Sequence, residues 1–294
     1  VIRATEATAL EYLHVDVFAP RAFAGNSLPV FVDAPDLDSR QMLSITRELR
    51  HFEAIFLSST AEPRRFAARV FDLFEELPFA GHPIIGAAAA LHRLKGDRAD
   101  EHWTFDLTGR SVTVATRRTP GGYFGMLDQG PAEFLGEAHD RDAIAAAFGL
   151  SGDALDPRLP LAVIGTGLRY LIVPVRPDAL PRAVIQQDIT ALVSSAGAQF
   201  AVLLDEAALE IRHWNNDGIV EDIATGSAAG TIGAYRLRHC GAASGAAFIL
   251  NQGRFAGRPS RLVVEPHGTP SAVRSVRVGG DVAIVGLGYL EARP

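Results

Sequence analysis

Apolar and polar residues alternate along Tyr12-Leu13-His14-Val15-Asp16-Val17, the two-residue period of a strand. Tyr170-Leu171-Ile172-Val173-Pro174-Val175 opens in the same way near the middle of the chain. Further on, Glu53-Ala54-Ile55-Phe56-Leu57 is matched by Phe200-Ala201-Val202-Leu203-Leu204, and a second strand pattern follows in each half, over 66–71 and 209–214. Each is succeeded by an acidic turn and a glycine that opens a helix of small residues. The first is Glu76-Leu77-Pro78-Phe79-Ala80-Gly81-His82-Pro83, leading into 84–94. The second is Glu221-Asp222-Ile223-Ala224-Thr225-Gly226-Ser227, leading into 228–239. Aligning Gly81 with Gly226 also aligns His82 with Ser227 and Glu76 with Glu221. Short strands match by chance, but this shared order predicts a structural duplication.

The remaining periodicity is mostly that of strands: 103–117 around a Gly109-Arg110 turn, 124–129, 261–266, 273–278 and 282–290. Helices are expected at 39–50, 140–148 and 189–195. The pattern predicts an α/β (α+β) protein with one central helix per half. Its domains are expected at 10–130 and 131–294, with the last strand able to cross back to the first. A length of 294 residues is comfortable for two cores of that size.

Composition narrows the function classes. With 48% hydrophobic and 21% charged residues the chain is an ordinary globular one, and its net charge of −6 argues against a broad surface for nucleic acid or anionic membrane. The longest apolar run, 84–91, is far short of the roughly 20 residues of a membrane span. Residues 1–10 hold no apolar signal-peptide core. A single cysteine, Cys240, excludes an intrachain disulfide and fits a cytoplasmic location.

Chemistry is expected at the two helix starts. A helix N-terminus offers free backbone N–H groups and partial positive charge to an anion. Gly81 and Gly226 permit close approach there, and Ser227 adds a hydroxyl. Neither glycine-rich nucleotide motif is present in full. Nearby titratable groups are Glu53, Glu76, His82, Glu221 and Asp222. Glu53 stands out because a carboxylate is out of place at the head of an apolar strand, although a capping or solvent-edge role is open to it. Asp222 is open to a purely helix-complementing role, His82 to bonding the backbone, and Glu76 and Glu221 read as capping residues. The other histidines, His213 among them, lack metal-ligand spacing, so no metal is expected.

These segments resemble the PhzF-like family. The resemblance is carried by Val15-Asp16-Val17-Phe18 with Gly25-Asn26, by Glu76–Pro83, by Glu221–Ala228, and by Gln252-Gly253 with Gly257-Arg258-Pro259-Ser260. It implies two pseudo-symmetric diaminopimelate-epimerase-like domains, each a curved, largely antiparallel sheet around a central helix. It further implies a cofactor-independent isomerase, a homodimer, that moves a proton on a small carboxylic acid such as a dihydro-hydroxyanthranilate. The family's acid/base and its neighbours would fall on Glu53, His82 and Asp222, with Gly81, Gly226, Thr225 and Ser227 binding substrate. Two-cysteine racemase chemistry is excluded by the cysteine count. A Glu-dependent racemase or epimerase, or a binding protein that lost catalysis, are the rival readings. Ser27 after Asn26, and the flanks His51-Phe52 and Ala54-Ile55 of Glu53, depart from the family's usual residues, which bears on substrate more than on reaction type.

Overall fold

The computed structural model describes residues 9–34, 37–96 and 99–294; residues 1–8, most of the stretch without a signal-peptide core, lie outside them. Two compact units emerge: the described residues up to Leu127 together with Gly279–Pro294, and Asp128–Val278. Among the described residues no helix is long and apolar enough to cross a membrane.

In the first unit β1 (Leu10–Val17) pairs antiparallel with β2 (Asn26–Val32), and α1 (Ser39–Leu49) follows. Strand β3 (Glu53–Ser59) lies parallel to β2, β4 (Arg65–Asp72) antiparallel to β3, and β5 (Glu76–Leu77) closes a hairpin on β4. Then come α2 (Gly81–Lys95), β6 (Glu101–Leu107) parallel to the start of β4, β7 (Arg110–Thr119) and β8 (Gly122–Asp128). Helix α1 is a peripheral one. A capping box between Asp38 and Gln41 satisfies its first turn, and its buried Met42 and Ile45 pack with Phe31, Ala54, Phe56 and Phe71. The alternate residues Leu28, Val30, Ile55, Leu57 and Val70 are buried on the other sheet face, toward α2.

Helix α2 is buried on all sides from Gly81 to His92, which explains its alanines: a helix with no solvent face has no use for an amphipathic stripe. Gly86 sets the closest approach. A Cβ there would lie 2.6 Å from Leu28 Cδ2 and 2.9 Å from Val17 Cγ2.

The second unit runs β9 (Glu133–Ala138), α3 (Arg141–Ala147), β10 (Leu161–Gly165), β11 (Arg169–Pro174), α4 (Thr190–Ser195), β12 (Phe200–Asp205), β13 (Glu210–Trp214), β14 (Glu221–Asp222), α5 (Gly226–His239), β15 (Phe248–Gln252) and β16 (Ser260–Thr269). The final strand, β17 (Ala272–Leu290), starts here and delivers residues 282–290 to β1 in the first unit. Helix α5 is again buried through its first turns, and a Cβ on Gly233 would meet Val264 and Val276 at 2.7 Å.

Both units use one pairing scheme. β10–β11 antiparallel, β11–β12 parallel, β12–β13 and β13–β14 antiparallel, and β13–β15 parallel repeat the order β1–β2, β2–β3, β3–β4, β4–β5 and β4–β6. The counterpart of β11 is therefore β2, so the sequence match of 12–17 with 170–175 joined strands that are not equivalent. From β3 onward the expected alignment coincides with the registers: Phe56 opposes Arg69 as Leu203 opposes Arg212, and Phe71 opposes Glu76 as Trp214 opposes Glu221. Residues 273–278 and 282–290, expected as two strands, form the single β17. Gly279 does not turn the chain; its missing Cβ makes room for the Gly125 carbonyl, which would otherwise lie 2.3 Å away.

Glu76 and Glu221, expected to cap helices, instead pair across their hairpins with Arg69 at 2.5 Å and Arg212 at 2.7 Å. Arg212 also donates to the carbonyls of Leu180 and Ala183 and stacks between Trp214 and Phe255 at 4.3 and 4.4 Å. Its pair is nearly buried, whereas the Arg69 pair is about one-third exposed. Arg212→Met is expected to destabilise the fold by about 3–5 kcal/mol, because it leaves a buried carboxylate alone. Arg69→Met is expected to cost about 1 kcal/mol or less. Urea unfolding of both variants checks the difference.

Candidate active site

Strand alternation puts Leu28, Glu53, Val70 and Leu77 on the α2 face of the first unit, where Glu53 stands directly opposite Asp72, and Val70 between Ile55 and Leu77. The Glu53 side chain is only 14% exposed. Its neighbour comes from the first turn of α2. His82 Nδ1 lies 2.9 Å from Glu53 Oε2, and the imidazole is itself buried. The two atoms are at ion-pair distance without the alignment of a hydrogen bond. Glu53 Oε2 and His82 Nε2 are both buried with no hydrogen-bond partner among the described residues. Buried polar atoms are nearly always paired, so this residual capacity marks a place where chemistry is unspent.

In the second unit the equivalent positions hold Tyr170 opposite Phe200, and His213 between Val202 and Asp222. The polarity is inverted: an aromatic ring stands where the first unit has Glu53, and hydroxyl, imidazole and carboxylate stand where it has aliphatic groups. Asp222 is held by Thr225, whose hydroxyl donates to Oδ2 at 2.5 Å, and by the Ala224 N–H at 3.3 Å from Oδ1. Gln252 clamps this turn. Its amide donates to the Asp222 carbonyl and to Thr225 Oγ1, and its oxygen accepts from the Thr225 N–H, all between 2.8 and 2.9 Å.

These bonds explain why Thr225, the residue before α5, does not cap the helix: its hydroxyl is committed to Asp222. Ala80, before α2, has no capping group to offer. Both central helices thus start without a side-chain cap, whereas α1 and α3 are capped by Asp38 and Asp140. Gly81 and Gly226 are the first residues of these uncapped helices. Gln129 steadies the second start by donating to the Gly226 carbonyl at 2.8 Å while accepting from the Thr166 hydroxyl. The Ser227 hydroxyl lies 2.7 Å from that of Tyr170.

The structure therefore brings Glu53 to His82 in one unit, and Asp222, Thr225, Gly226 and Ser227 together in the other. Sequence reasoning did not single out His213, Tyr170, Gln129 or Thr166 as members of this set. His213 stands opposite Asp222 only through the β13–β14 register, which the sequence pattern does not display. Its Nδ1 lies 2.9 Å from the Ala201 carbonyl and so carries the proton. Burial holds the imidazole below its ordinary 6.5, against an opposing pull from Asp222 and the Ala201 carbonyl. Cys240 lies at the far end of α5, where burial and the Glu206 charge push its thiol up to about 12, so no thiolate is available at neutral pH.

The family model for phenazine biosynthesis-like proteins matches residues 15–288. Trans-2,3-dihydro-3-hydroxyanthranilate isomerase of Pseudomonas aeruginosa is 30% identical, over 96% of this chain and 98% of its own. A solved structure from Pseudomonas aeruginosa, described as a predicted epimerase, is 46% identical with a TM-score of 0.90, covering 96% of this chain and 99% of that one. A PhzF-family protein of Bacillus anthracis, 20% identical, shares the mixed α/β fold at a TM-score of 0.83, with coverage of 96% and 99%.

The depressed His213 value has a consequence for stability. The unfolded chain binds this proton more readily than the folded one, so the contribution is full above about 6.5 and is lost as pH falls through that value. Thermal melts between about pH 7.5 and 5 are expected to decline less steeply for His213→Val than for wild type. His239, held down by burial and Arg238, retains part of the slope. Identical slopes would show that His213 is not a buried neutral imidazole.

Proposed function

The chain belongs to the phenazine biosynthesis-like family and is an isomerase, and from that premise we propose that it moves a proton on a small carboxylic acid without a cofactor, using Glu53 as general base and acid. The observation that carries this reading is the buried Glu53–His82 pair, 2.9 Å apart, in which Glu53 Oε2 and His82 Nε2 make no hydrogen bond among the described residues.

In this reading the uncapped helix starts, Gly81 in the first unit and Gly226 with the Ser227 hydroxyl in the second, are donors for anionic substrate groups. His82 assists Glu53 in the first unit, and Asp222, fixed by Thr225, is an acceptor in the second. Glu53 removes an activated C–H proton; the electron pair of that bond forms a new double bond while the old one shifts. Glu53 then returns the proton to the distal carbon. No atom is gained or lost, so no oxidant, reductant or co-substrate is required.

The isomerase relative makes a dihydro-hydroxyanthranilate-like acid the first substrate to try. The 46% identical structure described as an epimerase supports a second reading, proton removal and return at one carbon. A cytoplasmic homodimer accompanies either reading as an expectation from the sequence.

Proton NMR in D₂O with trans-2,3-dihydro-3-hydroxyanthranilate separates these outcomes. Wild type is expected to introduce deuterium with a change in ultraviolet absorbance, and Glu53→Gln to lose about 10² to 10⁴-fold in rate. Deuterium incorporation with loss of optical rotation, and no absorbance change, would favour the epimerase. Near-normal turnover by Glu53→Gln would remove Glu53 from the mechanism.

A further inference from the structure

The segment 253–259 has no counterpart in the first unit. Register makes Glu210 equivalent to Ala67, hence Asn251 to Asp106 and Gln252 to Leu107. Between Leu107 and its cross-strand partner Arg110 lie only residues 108–109, whereas 253–259 lie between Gln252 and its partner Ser260. The same pair of strands therefore closes without the added segment. That segment makes up most of the stretch 252–260 through which the sequence resembles its family.

Two grips hold it in place. At its middle, the Phe255 ring meets two guanidinium groups, Arg212 at 4.4 Å and Arg254 at 4.0 Å. Each arginine is fixed in turn by a two-pronged pair with a glutamate, Arg212 with Glu221 and Arg254 with Glu210. Glu221 directly precedes Asp222. At its near end, the Gln252 amide donates to the Asp222 carbonyl and the Thr225 hydroxyl and accepts from the Thr225 N–H. Gly253, at φ +81°, comes so close that a Cβ there would lie 2.5 Å from the Ile223 carbonyl oxygen and 2.4 Å from that of Arg258. The first unit does without all of this: Leu107 stands in place of Gln252, and the turn before α2 is covered by Arg110 over the Phe79 ring at 4.4 Å. A fold that accepts Leu107 does not require the amide.

We infer that 252–259 is a brace for the turn 222–225, with Gln252 and Phe255 as positioning residues. Phe255 fastens the loop to β13, and Gln252 passes that hold to Asp222 and Thr225. The catalytic consequence rests on the isomerase reading and deepens it. Neither residue acts on substrate itself; together they keep the Asp222 carboxylate, through the Thr225 hydroxyl, in one orientation before substrate arrives.

Amide hydrogen exchange of the full chain, read residue by residue by NMR, tests the brace without a substrate. Gln252→Leu leaves buried groups of the turn unpaired and endangers folding, so Phe255→Leu, at a partly buried position, is the deciding variant. It is expected to speed exchange of the Thr225 amide about ten-fold while the amides of β12 stay within about two-fold of wild type. Phe255→Tyr, which keeps an aromatic face for both arginines, is expected to restore the slow exchange. Deuterium uptake into trans-2,3-dihydro-3-hydroxyanthranilate is expected to fall about ten-fold in kcat in Phe255→Leu and to recover in Phe255→Tyr. Thr225 exchange that is unchanged, or that rises only in step with β12, would overturn the brace. A loosened turn with full kcat would overturn the positioning role and leave the isomerase reading intact. Wild type inert toward that acid would count against the isomerase reading, and Thr225 exchange would still decide the brace.

Discussion

A helix buried on every side is the constraint from which the rest of each unit follows. Such a helix can neither present a polar face nor carry bulky side chains where strands press on it. Gly86 and Gly233 stand at those points, each with strand side chains closer than a Cβ would tolerate. The cost of this arrangement falls on the helix start, whose backbone N–H groups are carried into the interior with the rest. Peripheral helices α1 and α3 satisfy theirs with Asp38 and Asp140. At α2 and α5 no side chain does so, and the candidate residues His82, Asp222, Thr225 and Ser227 lie around those two starts.

Duplication supplies the frame, and divergence at matched positions supplies the function. Along the sheet face that meets the central helix, the first unit places Leu28, Glu53, Val70 and Leu77, and the second places Tyr170, Phe200, His213 and Asp222. Each position that is polar in one unit is apolar in the other. Glu53 stands beside His82 and opposite Asp72 on this face. A carboxylate, imidazole and hydroxyl fixed by their own hydrogen bonds are suited to holding a ligand in one orientation. The same backbone serves both tasks because the register dictates where a side chain stands and leaves open what it is.

Much of this was legible before any coordinates. The alignment of Gly81 with Gly226 and of 53–57 with 200–204 is correct to the residue, since alternation and the glycine punctuation constrain it together. Glu53, His82, Asp222 and Ser227 were singled out as candidates, and the structure brings Glu53 to His82 and sets Asp222 and Ser227 about the start of α5. The strand β11 was matched to the wrong partner because alternating apolar segments look alike, and only hydrogen-bond pairing tells β2 from β1. β2, β9, β10 and β15 carried too little period to be picked out. Residues 273–278 and 282–290 read as two strands, and Gly279 between them is a place of close approach within one.

The acids near the helix starts show why residue type alone stops short of function. Glu76, Glu221, Glu53 and Asp222 all lie in or beside the same hairpins. Arg69 and Arg212 neutralise the first two through paired hydrogen bonds, so these are structural charges whose removal costs stability. Asp222 accepts from a hydroxyl and a backbone N–H, which orient its carboxylate. Glu53 keeps an oxygen with no hydrogen bond at all. Arg69 and Arg212 stand two residues from the aromatics that face these glutamates, so the strand register itself neutralises Glu76 and Glu221. The proposed proton transfer falls instead on Glu53, the acid with an oxygen outside any hydrogen bond among the described residues.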